Sequence, residues 1–278
     1  MGPMLPILGR LSETASWIRR TLLPFFDHRF LDPHRYRMDQ HAQELATTLP
    51  PDSMVLDAGA GECRLKPLFH QHRYVACDLG VGDSNWNYRG LDCLCTLDSL
   101  PFRSASFHGV LLVEVLEHLA SPAASVNELG RVLKPGGLLY LSTPFMFPLH
   151  QIPHDFARHT RYGIERLLSC AGFEVVRIDE LGGVLTTFYY YARWLFDMPA
   201  CLFPGLTTRP VLSRFWSLFL RIVRHPMGWL AEKLDPWVWS ILKRRMAGPF
   251  VVGYYAVGRR RDSSVRAEVS SCKSPTGS

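Results

Sequence analysis

The sequence lacks the features of a secreted or membrane-spanning protein. It has no stretch of about eighteen apolar residues free of charge, so we predict no membrane-spanning helix. Its first residues do not combine a basic start with a long apolar run and a small-residue cleavage site, so we predict no signal peptide. The cysteines favour a reduced, cytoplasmic environment.

Cysteine pairs with the spacing of a zinc knuckle are also missing. The chain has seven cysteines, an odd number, and none of them forms a CxxC pair. Cys93 and Cys95 are too close together for such a site, so two ordinary strand residues are the favoured interpretation. Several other cysteines lie in apolar runs, where a buried thiol behaves as a small hydrophobic side chain. We therefore expect a reduced chain and no metal site.

Most of the chain carries no net charge. The formal net charge is +6, and residues 184–246 alone hold nine lysines and arginines against three acidic residues. The whole excess lies in this segment, and the remainder of the chain is neutral. A nucleic-acid-binding protein with a basic core is therefore disfavoured.

The chain does contain a glycine loop at the end of an apolar run. Met54–Leu56 is predicted to be a buried strand, and it is followed by Asp57, Gly59 and Gly61. A helix is predicted to follow from Arg64 to His70. Glycines let a ligand approach the backbone closely, and a helix start offers unpaired N–H groups. A tight strand-to-helix turn without a ligand is the alternative.

A second acidic residue supports a ligand site. The next apolar strand, Tyr74–Cys77, ends in Asp78, which lies 21 residues after Asp57. In dinucleotide-binding folds, an acid about 20 residues after the glycine loop binds the ribose hydroxyls. The NAD fingerprint would also need a glycine where Arg64 stands, which argues against NAD. The alternative role for Asp78 is to start a turn before Gly80.

Five sequence motifs now identify a family resemblance. They are VLDAGAGEC, YVACDLG, LPFRSASFHGVLLVEVLEHL, ELGRVLKPGGLLYLSTPF and LLSCAGFEVV, in this order from about Asp52 to Leu181. Together they resemble the class I S-adenosylmethionine-dependent methyltransferases, and within them the type 11 methyltransferase domain family. Two positions depart from the family: Cys63 replaces its third glycine, and Thr96 replaces an acid expected near the adenine.

The resemblance implies the cofactor, S-adenosyl-L-methionine, and its contacts. It assigns Asp57, Gly59 and Gly61 to the methionine end, Asp78 to the ribose, Leu79, Thr96 and Leu97 to the adenine, and Val113 and Glu114 to the amino-acid end.

The predicted fold is α/β, because strand and helix patterns alternate along the chain. We predict a Rossmann-like, seven-stranded, mostly parallel sheet with helices on both faces, and the resemblance implies an antiparallel last strand with a helical insertion before it. Strands are predicted near 53–58, 73–78, 92–96, 108–113, 137–142, 173–179 and 249–258, and helices at 62–70, 121–133 and 162–171.

The domain organisation follows from the same pattern. We predict an N-terminal helical cap at 1–50, a methyltransferase core at 51–181, an aromatic and basic insertion at 182–247, a final strand at 248–259 and a disordered tail at 260–278. Asp32–Leu49 is predicted to be an amphipathic helix, which either covers the cofactor pocket or caps the sheet.

Candidate catalytic residues lie in the loop after the fifth strand, residues 144–160. His150, His154 and Asp155 are the candidates, since histidine accepts protons well at neutral pH. His154 ranks first because Asp155 and Arg158 lie beside it in the sequence. Ordinary surface or packing histidines are the alternative. A helical metal pair is disfavoured because Pro153 interrupts the spacing, and Glu117 and His118 are interpreted as support for the loop.

The insertion contains a helix with a basic stripe. Arg214, Ser217, Arg221 and Arg224 fall on one face of Ser213–Arg224, and the rest is aromatic or aliphatic. Such a helix favours a position on an anionic membrane surface. The alternative is a helical subdomain that buries the apolar face against the protein or a second subunit.

These observations predict a methyltransferase that acts on a hydroxyl or carboxyl of a small or lipid-linked substrate and that lies at the membrane surface through residues 184–246. The alternative is a non-catalytic, methyltransferase-like, membrane-associated binding module. A nucleic-acid methyltransferase is disfavoured, because the Asn/Asp-Pro-Pro-Tyr/Phe tetrapeptides of N-methylation are absent and the core is neutral. The sequence does not indicate an oligomeric state.

Overall fold

A computed structural model describes residues 31–82, 85–202, 210–242 and 250–262 of the chain, without side chains at 194–202 and 210–211. The described residues form two compact units. One comprises residues 31–36, 182–202 and 210–242, and the other comprises residues 37–82, 85–181 and 250–262. The apolar segment 5–26 and the tail beyond 262 lie outside the described residues.

The second unit is built on a seven-stranded sheet. Its strands are β1 (Met54–Ala58), β2 (Arg73–Asp78), β3 (Cys93–Leu94), β4 (Phe107–Val113), β5 (Leu133–Pro144), β6 (Phe173–Leu181) and β7 (Gly253–Arg260). Their order across the sheet is β3-β2-β1-β4-β5-β7-β6. All pairs are parallel except those made by β7, which is antiparallel to both neighbours. The predicted fold class is confirmed.

The described residues contain five α-helices. They are α1 (Pro33–Thr48), α2 (Pro122–Val132), α3 (Arg161–Cys170), α4 (Val184–Leu202) and α5 (Pro210–Leu242). The predictions for α1, α2 and α3 are confirmed to within about two residues. Helix α3 starts where it does because the Thr160 side chain accepts a hydrogen bond from the N–H of Gly163, which caps the helix.

Apolar side chains cover both faces of the sheet. Neighbouring residues of β1 point to opposite sides, so Val55 and Leu56 belong to two different buried clusters. On one side, α1 packs through Met38, Ala42 and Leu45, which repeat every three to four residues. Helix α1 thus packs on one face of the sheet, and the buried strands supply a rigid base for the loops at their carboxyl ends.

Several predicted boundaries are wrong. Residues 62–70 do not form an α-helix but turns followed by a 3-10 helix at Lys66–Phe69, because Pro67 cannot donate a helical hydrogen bond. Strand β5 begins at Leu133 and not near 137, and residues 134–137 form a register shift in its pairing with β4. Strand β7 begins at Gly253, since Val251 and Val252 bond instead to the loop after β5.

The first unit contains the two long helices. Helix α5 has 33 residues and includes Pro226 and Pro236. Among the residues that the structure describes, no helix is long and apolar enough to cross a membrane. The Tyr189 hydroxyl donates to the carbonyl of Leu31, at 2.8 Å, and so joins residues 31–36 to α4.

The expectation of a wholly reduced chain is wrong for one residue. Cys63, Cys77, Cys93 and Cys95 carry free thiols, whereas Cys170 is disulfide-bonded.

Candidate active site

The glycine loop turns sharply at the end of β1 and is tied to β2. The N–H groups of Gly59 and Ala60 donate to the carbonyl of Cys77, at 2.8 and 3.0 Å. Gly59 has φ +81°, and a Cβ there would lie 2.4 Å from Cγ2 of Val115, which follows β4. Both the backbone conformation and this close approach require glycine. The loop is therefore fixed by packing, whatever it binds.

Asp78 closes the loop from the end of β2. One carboxylate oxygen accepts the N–H of Gly61 at 2.9 Å, and the other accepts the N–H of Gly80 at 2.7 Å. Each carboxylate oxygen has a further lone pair, so this group can still accept hydrogen bonds from a diol. The structure thus brings Asp78 and the glycine loop together, as the spacing of 21 residues predicts.

Asp57 lies beneath the loop and is almost fully buried. Burial raises the pKa of its carboxyl to about 6, although the hydrogen bond from the Tyr74 hydroxyl and the charge of Arg64 oppose this rise. A buried carboxylate of this kind is stabilised by a cationic group placed beside it.

Cys63 stands where the family pattern has its third glycine, and its backbone conformation is one that glycine favours. Its φ is +58°, in the left-handed region that glycine favours. Trp86 was not singled out by the sequence, but its ring lies against Gly61, 3.1 Å from where a Cβ would be. Glu62 accepts the N–H of Asn87, so this segment packs on the loop.

The other predicted cofactor residues differ in how their side chains are placed. Leu79 is 53% exposed and Thr96 is also exposed, whereas Leu97 is only 6% exposed and belongs to the core. Leu97 could therefore offer a ligand only its backbone. Val113 is half-buried, and Glu114, with φ +56°, accepts a hydrogen bond from the Ser142 hydroxyl at 3.0 Å.

A second group of polar side chains lies after β4 and β5. We call Glu117, His118 and His150 the Glu117 cluster. Their ligand atoms all lie within 4.8 Å of one another. Oε1 of Glu117 is 3.5 Å from Nε2 of His118 and 3.7 Å from Nε2 of His150.

Glu117 is the buried member of this cluster, with no exposed surface. Its Oε2 accepts the hydroxyl of Thr143 at 3.2 Å, whereas its Oε1 has no hydrogen-bond partner among the described residues. Burial raises the pKa of this carboxyl, even though His150 and His118 act in the opposite direction.

The other ring nitrogens of both histidines contact oxygen atoms. Nδ1 of His118 lies 2.7 Å from the carbonyl oxygen of His154. Nδ1 of His150 lies 3.3 Å from the carbonyl of Pro148 and 3.3 Å from Oδ2 of Asp155. A proton on each Nδ1 would leave both Nε2 atoms with a free lone pair toward Glu117.

The predicted partnership of His154 with Asp155 and Arg158 is wrong. Arg158 donates to both carboxylate oxygens of Asp155, at 2.5 and 2.7 Å, and this contact lowers the pKa of the carboxyl to about 2. Asp155 in turn accepts the backbone N–H of His150, at 3.0 Å. The ring of His154 is exposed instead, so the geometry favours His150 as the oriented histidine.

The sequence around β1 to β5 matches a known family. Residues 56–141 match the model of a family described as "Methyltransferase domain". The match includes the glycine loop, Asp78, Glu117 and His118, and it ends before His150.

Two curated relatives have the same enzymatic class in their names. A malonyl-[acyl-carrier protein] O-methyltransferase of Herminiimonas arsenicoxydans is 35% identical over 156 residues, which are 50% of this chain and 60% of that protein. A ubiquinone biosynthesis O-methyltransferase of Xanthomonas oryzae pv. oryzae (strain PXO99A) is 42% identical over 55 residues, which are 20% of this chain and 21% of that protein. The chain thus spans less than two thirds of either relative.

Solved structures share the fold at low sequence identity. A Burkholderia thailandensis 1,6-didemethyltoxoflavin-N1-methyltransferase, with bound 1,6-didemethyltoxoflavin and S-adenosylhomocysteine, has a TM-score of 0.50 at 17% identity and 90% coverage of both chains. The [4+2]-cyclase SpnF also has a TM-score of 0.50, at 16% identity and 80% coverage of both chains.

Proposed function

Because this chain contains a class I S-adenosylmethionine-dependent methyltransferase domain, we propose that it transfers the methyl group to an oxygen of a small or lipid-linked acceptor. The acceptor oxygen belongs to a hydroxyl or a carboxyl. One observation carries the proposal: a glycine loop joined to Asp78 lies at the carboxyl ends of β1 and β2, and a polar cluster follows β4 and β5 in the same sheet. Ligands of open α/β sheets bind at this edge.

The residues after β1 and β2 fit the cofactor. The buried carboxylate of Asp57 suits the cationic methionine end, and the free lone pairs of Asp78 suit the ribose hydroxyls. Gly59 and Gly61 allow close approach, while Leu79, Thr96 and the backbone of Leu97 are assigned to the adenine. Val113 and Glu114 complete the amino-acid end. The cofactor supplies a methyl group on a sulfonium, and these residues bind and orient it.

The residues after β4 and β5 are assigned to the acceptor. Methyl transfer is an in-line displacement, so the protein contributes mainly position and the exclusion of water. A hydroxyl acceptor must also lose its proton, whereas a carboxylate acceptor needs no base. His150 and His154 are the proposed proton acceptors, and His150 ranks first because Asp155 fixes it.

The insertion is proposed to place the enzyme on a membrane surface with anionic lipids. Helix α5 exposes an apolar stripe along its length, in which Phe215 and Trp237 are 69% and 65% exposed. Arg214 and Arg221 are exposed beside this stripe, and the insertion holds the positive excess of the chain. Apolar burial combined with attraction to anionic headgroups is what an interfacial helix uses. This position would give the site access to a lipid-linked acceptor.

The test of catalysis separates cofactor binding from turnover. Calorimetry with S-adenosylhomocysteine should show binding by the wild type and a loss for Asp78→Ala of about 1.5–3 kcal/mol for each charged hydrogen bond that water does not restore. In a methylation assay on a lipid extract with isotopically labelled S-adenosylmethionine, His150→Ala should lower turnover about 100-fold or more at unchanged cofactor affinity. His154→Ala should lower it less.

The opposite results would favour a non-catalytic binding module. A folded wild type that binds neither S-adenosylmethionine nor S-adenosylhomocysteine would contradict the proposed activity. The departures at Cys63 and Thr96 from the family pattern support this second candidate.

A further inference from the structure

We propose that Glu117, His118 and His150 bind a divalent transition-metal cation. No assignment of this kind follows from the sequence, where Pro153 argues against a helical histidine pair. The site arises because the loop after β4 supplies two ligands and the loop after the neighbouring strand β5 supplies the third.

The distances between the ligand atoms are close to those of a metal site. Ligands at about 2.0–2.1 Å from zinc, at tetrahedral angles, stand about 3.3 Å apart. Oε1 of Glu117 lies 3.5 and 3.7 Å from the Nε2 atoms of His118 and His150, and all three atoms fit within 4.8 Å. The two separations from Glu117 are therefore within about 0.4 Å of the tetrahedral spacing.

The buried carboxylate gives independent support for a cation. Oε1 of Glu117 and Nε2 of His118 are buried and have no hydrogen-bond partner among the described residues. Burial of a polar atom without a hydrogen-bond partner costs free energy, so each of these atoms needs a partner such as an ion. Because one carboxylate oxygen and one imidazole nitrogen point into the same space, a cation satisfies both.

The surroundings of the imidazoles are those of metal ligands. Histidines that bind a metal through one nitrogen usually donate the other N–H to a carbonyl or carboxylate, which fixes the ring. Nδ1 of His118 has the carbonyl of His154, and Nδ1 of His150 has the carbonyl of Pro148 and the Asp155 carboxylate. Arg158 holds Asp155 from its other side, so the outer contacts are complete.

The ligand set selects the class of ion and leaves room for an acceptor. Two imidazoles and one carboxylate suit zinc, manganese or iron better than magnesium or calcium, which prefer oxygen ligands. Three protein ligands leave an open coordination position. If the proposed methyl transfer holds, an acceptor hydroxyl bound there would lose its proton more easily. Because His150 bound to a metal through Nε2 has no free nitrogen, its role would then be that of a ligand, and the exposed His154 ring would be the proton acceptor.

Metal binding by the full chain tests this inference without any assay of activity. After removal of metal with a chelator, calorimetric titration with ZnCl₂ and MnCl₂ should show one equivalent bound by at least one of these ions. Co²⁺ should give the visible absorption of an imidazole-bound ion. Glu117→Gln and His150→Ala should each weaken binding by more than the roughly 10- to 100-fold that an outer contact contributes.

A matched variant distinguishes the loss of a metal ligand from a general change in the loop after β5. His154→Ala removes an exposed imidazole but keeps the backbone oxygen that contacts His118, so its metal affinity should equal that of the wild type. His150→Ala removes a half-exposed ring, and circular dichroism should show it folded. A wild type that binds neither ion, or binds no more tightly than His150→Ala, overturns the inference. Binding of S-adenosylhomocysteine measured in chelator reports on the methyltransferase proposal separately.

Discussion

Asp57 illustrates how a single buried carboxyl affects both stability and binding. Its pKa is raised from 3.8 to about 6 by burial. Because the pKa is higher in the folded state, this carboxyl contributes its full stabilisation at pH values below its unfolded pKa. That contribution is lost as the pH rises through about 6. The ionised group therefore weakens the ligand-free fold at neutral pH.

Asp57→Asn should consequently stabilise the ligand-free protein at pH 8 but not at pH 4. A pKa of about 6 instead of 3.8 corresponds to about 3 kcal/mol at pH 8, which is an upper limit of the gain because an amide oxygen accepts the Tyr74 hydroxyl more weakly than a carboxylate does. Urea unfolding at the two pH values measures the difference. S-adenosylhomocysteine binding should weaken in the same variant. An equal difference in stability at both pH values would contradict the role of ionisation.

At the scale of elements, the start of α4 depends on a residue of α5. Asp235 is 2% exposed, and its carboxylate accepts the N–H groups of Gly183, Leu185 and Thr186, at 2.6, 2.9 and 3.1 Å. It also accepts the Thr186 hydroxyl at 2.5 Å. These bonds satisfy N–H groups that the first turn of a helix leaves without partners, and the negative charge suits the helix dipole. Gly183 leaves space for this carboxylate, since a Cβ there would lie 2.6 Å from Oδ1.

Asp235→Ala should therefore destabilise the first unit by about 3 kcal/mol or more, since several buried donors lose their acceptor. Hydrogen exchange should show faster exchange of the α4 amides, with the strands of the sheet still protected. Lys233→Ala, an exposed position on the same helix, is the control and should exchange like the wild type. If α4 stays protected in Asp235→Ala, the cap does not hold this helix.

At the scale of the whole molecule, the separation of charge predicts where the protein lies. The positive excess belongs to the insertion, and the remainder of the chain is neutral. In flotation experiments, the wild type should associate with vesicles that contain phosphatidylserine and less with phosphatidylcholine alone. High salt should release it, since exposed charges are screened over about 3 Å at 1 M salt.

Reversal of two exposed charges tests this localisation. Arg214→Glu with Arg221→Glu should reduce vesicle binding at least about 30-fold, because each basic residue near an anionic surface contributes about 1 kcal/mol. Arg103→Glu with Arg166→Glu makes the same change in net charge on exposed residues of the sheet unit and should bind like the wild type. If the wild type floats with neither kind of vesicle, the predicted localisation is wrong, and the apolar stripe contacts protein instead of lipid.

The sequence alone determined the features that depend on neighbouring residues. Apolar runs and their spacing predicted the strands and α1, α2 and α3, since burial patterns repeat locally along the chain. The sequence also predicted correctly that the glycine loop and Asp78 lie together, because consecutive parallel strands bring their carboxyl ends together. The prediction of an α-helix over 62–70 was wrong for a local reason as well, since Pro67 outweighs the apolar pattern.

Only the tertiary structure decided which remote side chains meet. Asp155 is adjacent to His154 in the sequence but contacts His150, because the loop brings the backbone N–H of His150 and the guanidinium of Arg158 to the Asp155 carboxylate. Glu117 meets His150 because β4 and β5 are neighbours in the sheet. Asp235 caps a helix about 50 residues earlier in the chain. Such contacts depend on strand order and loop geometry, which place side chains in space independently of their separation in the sequence.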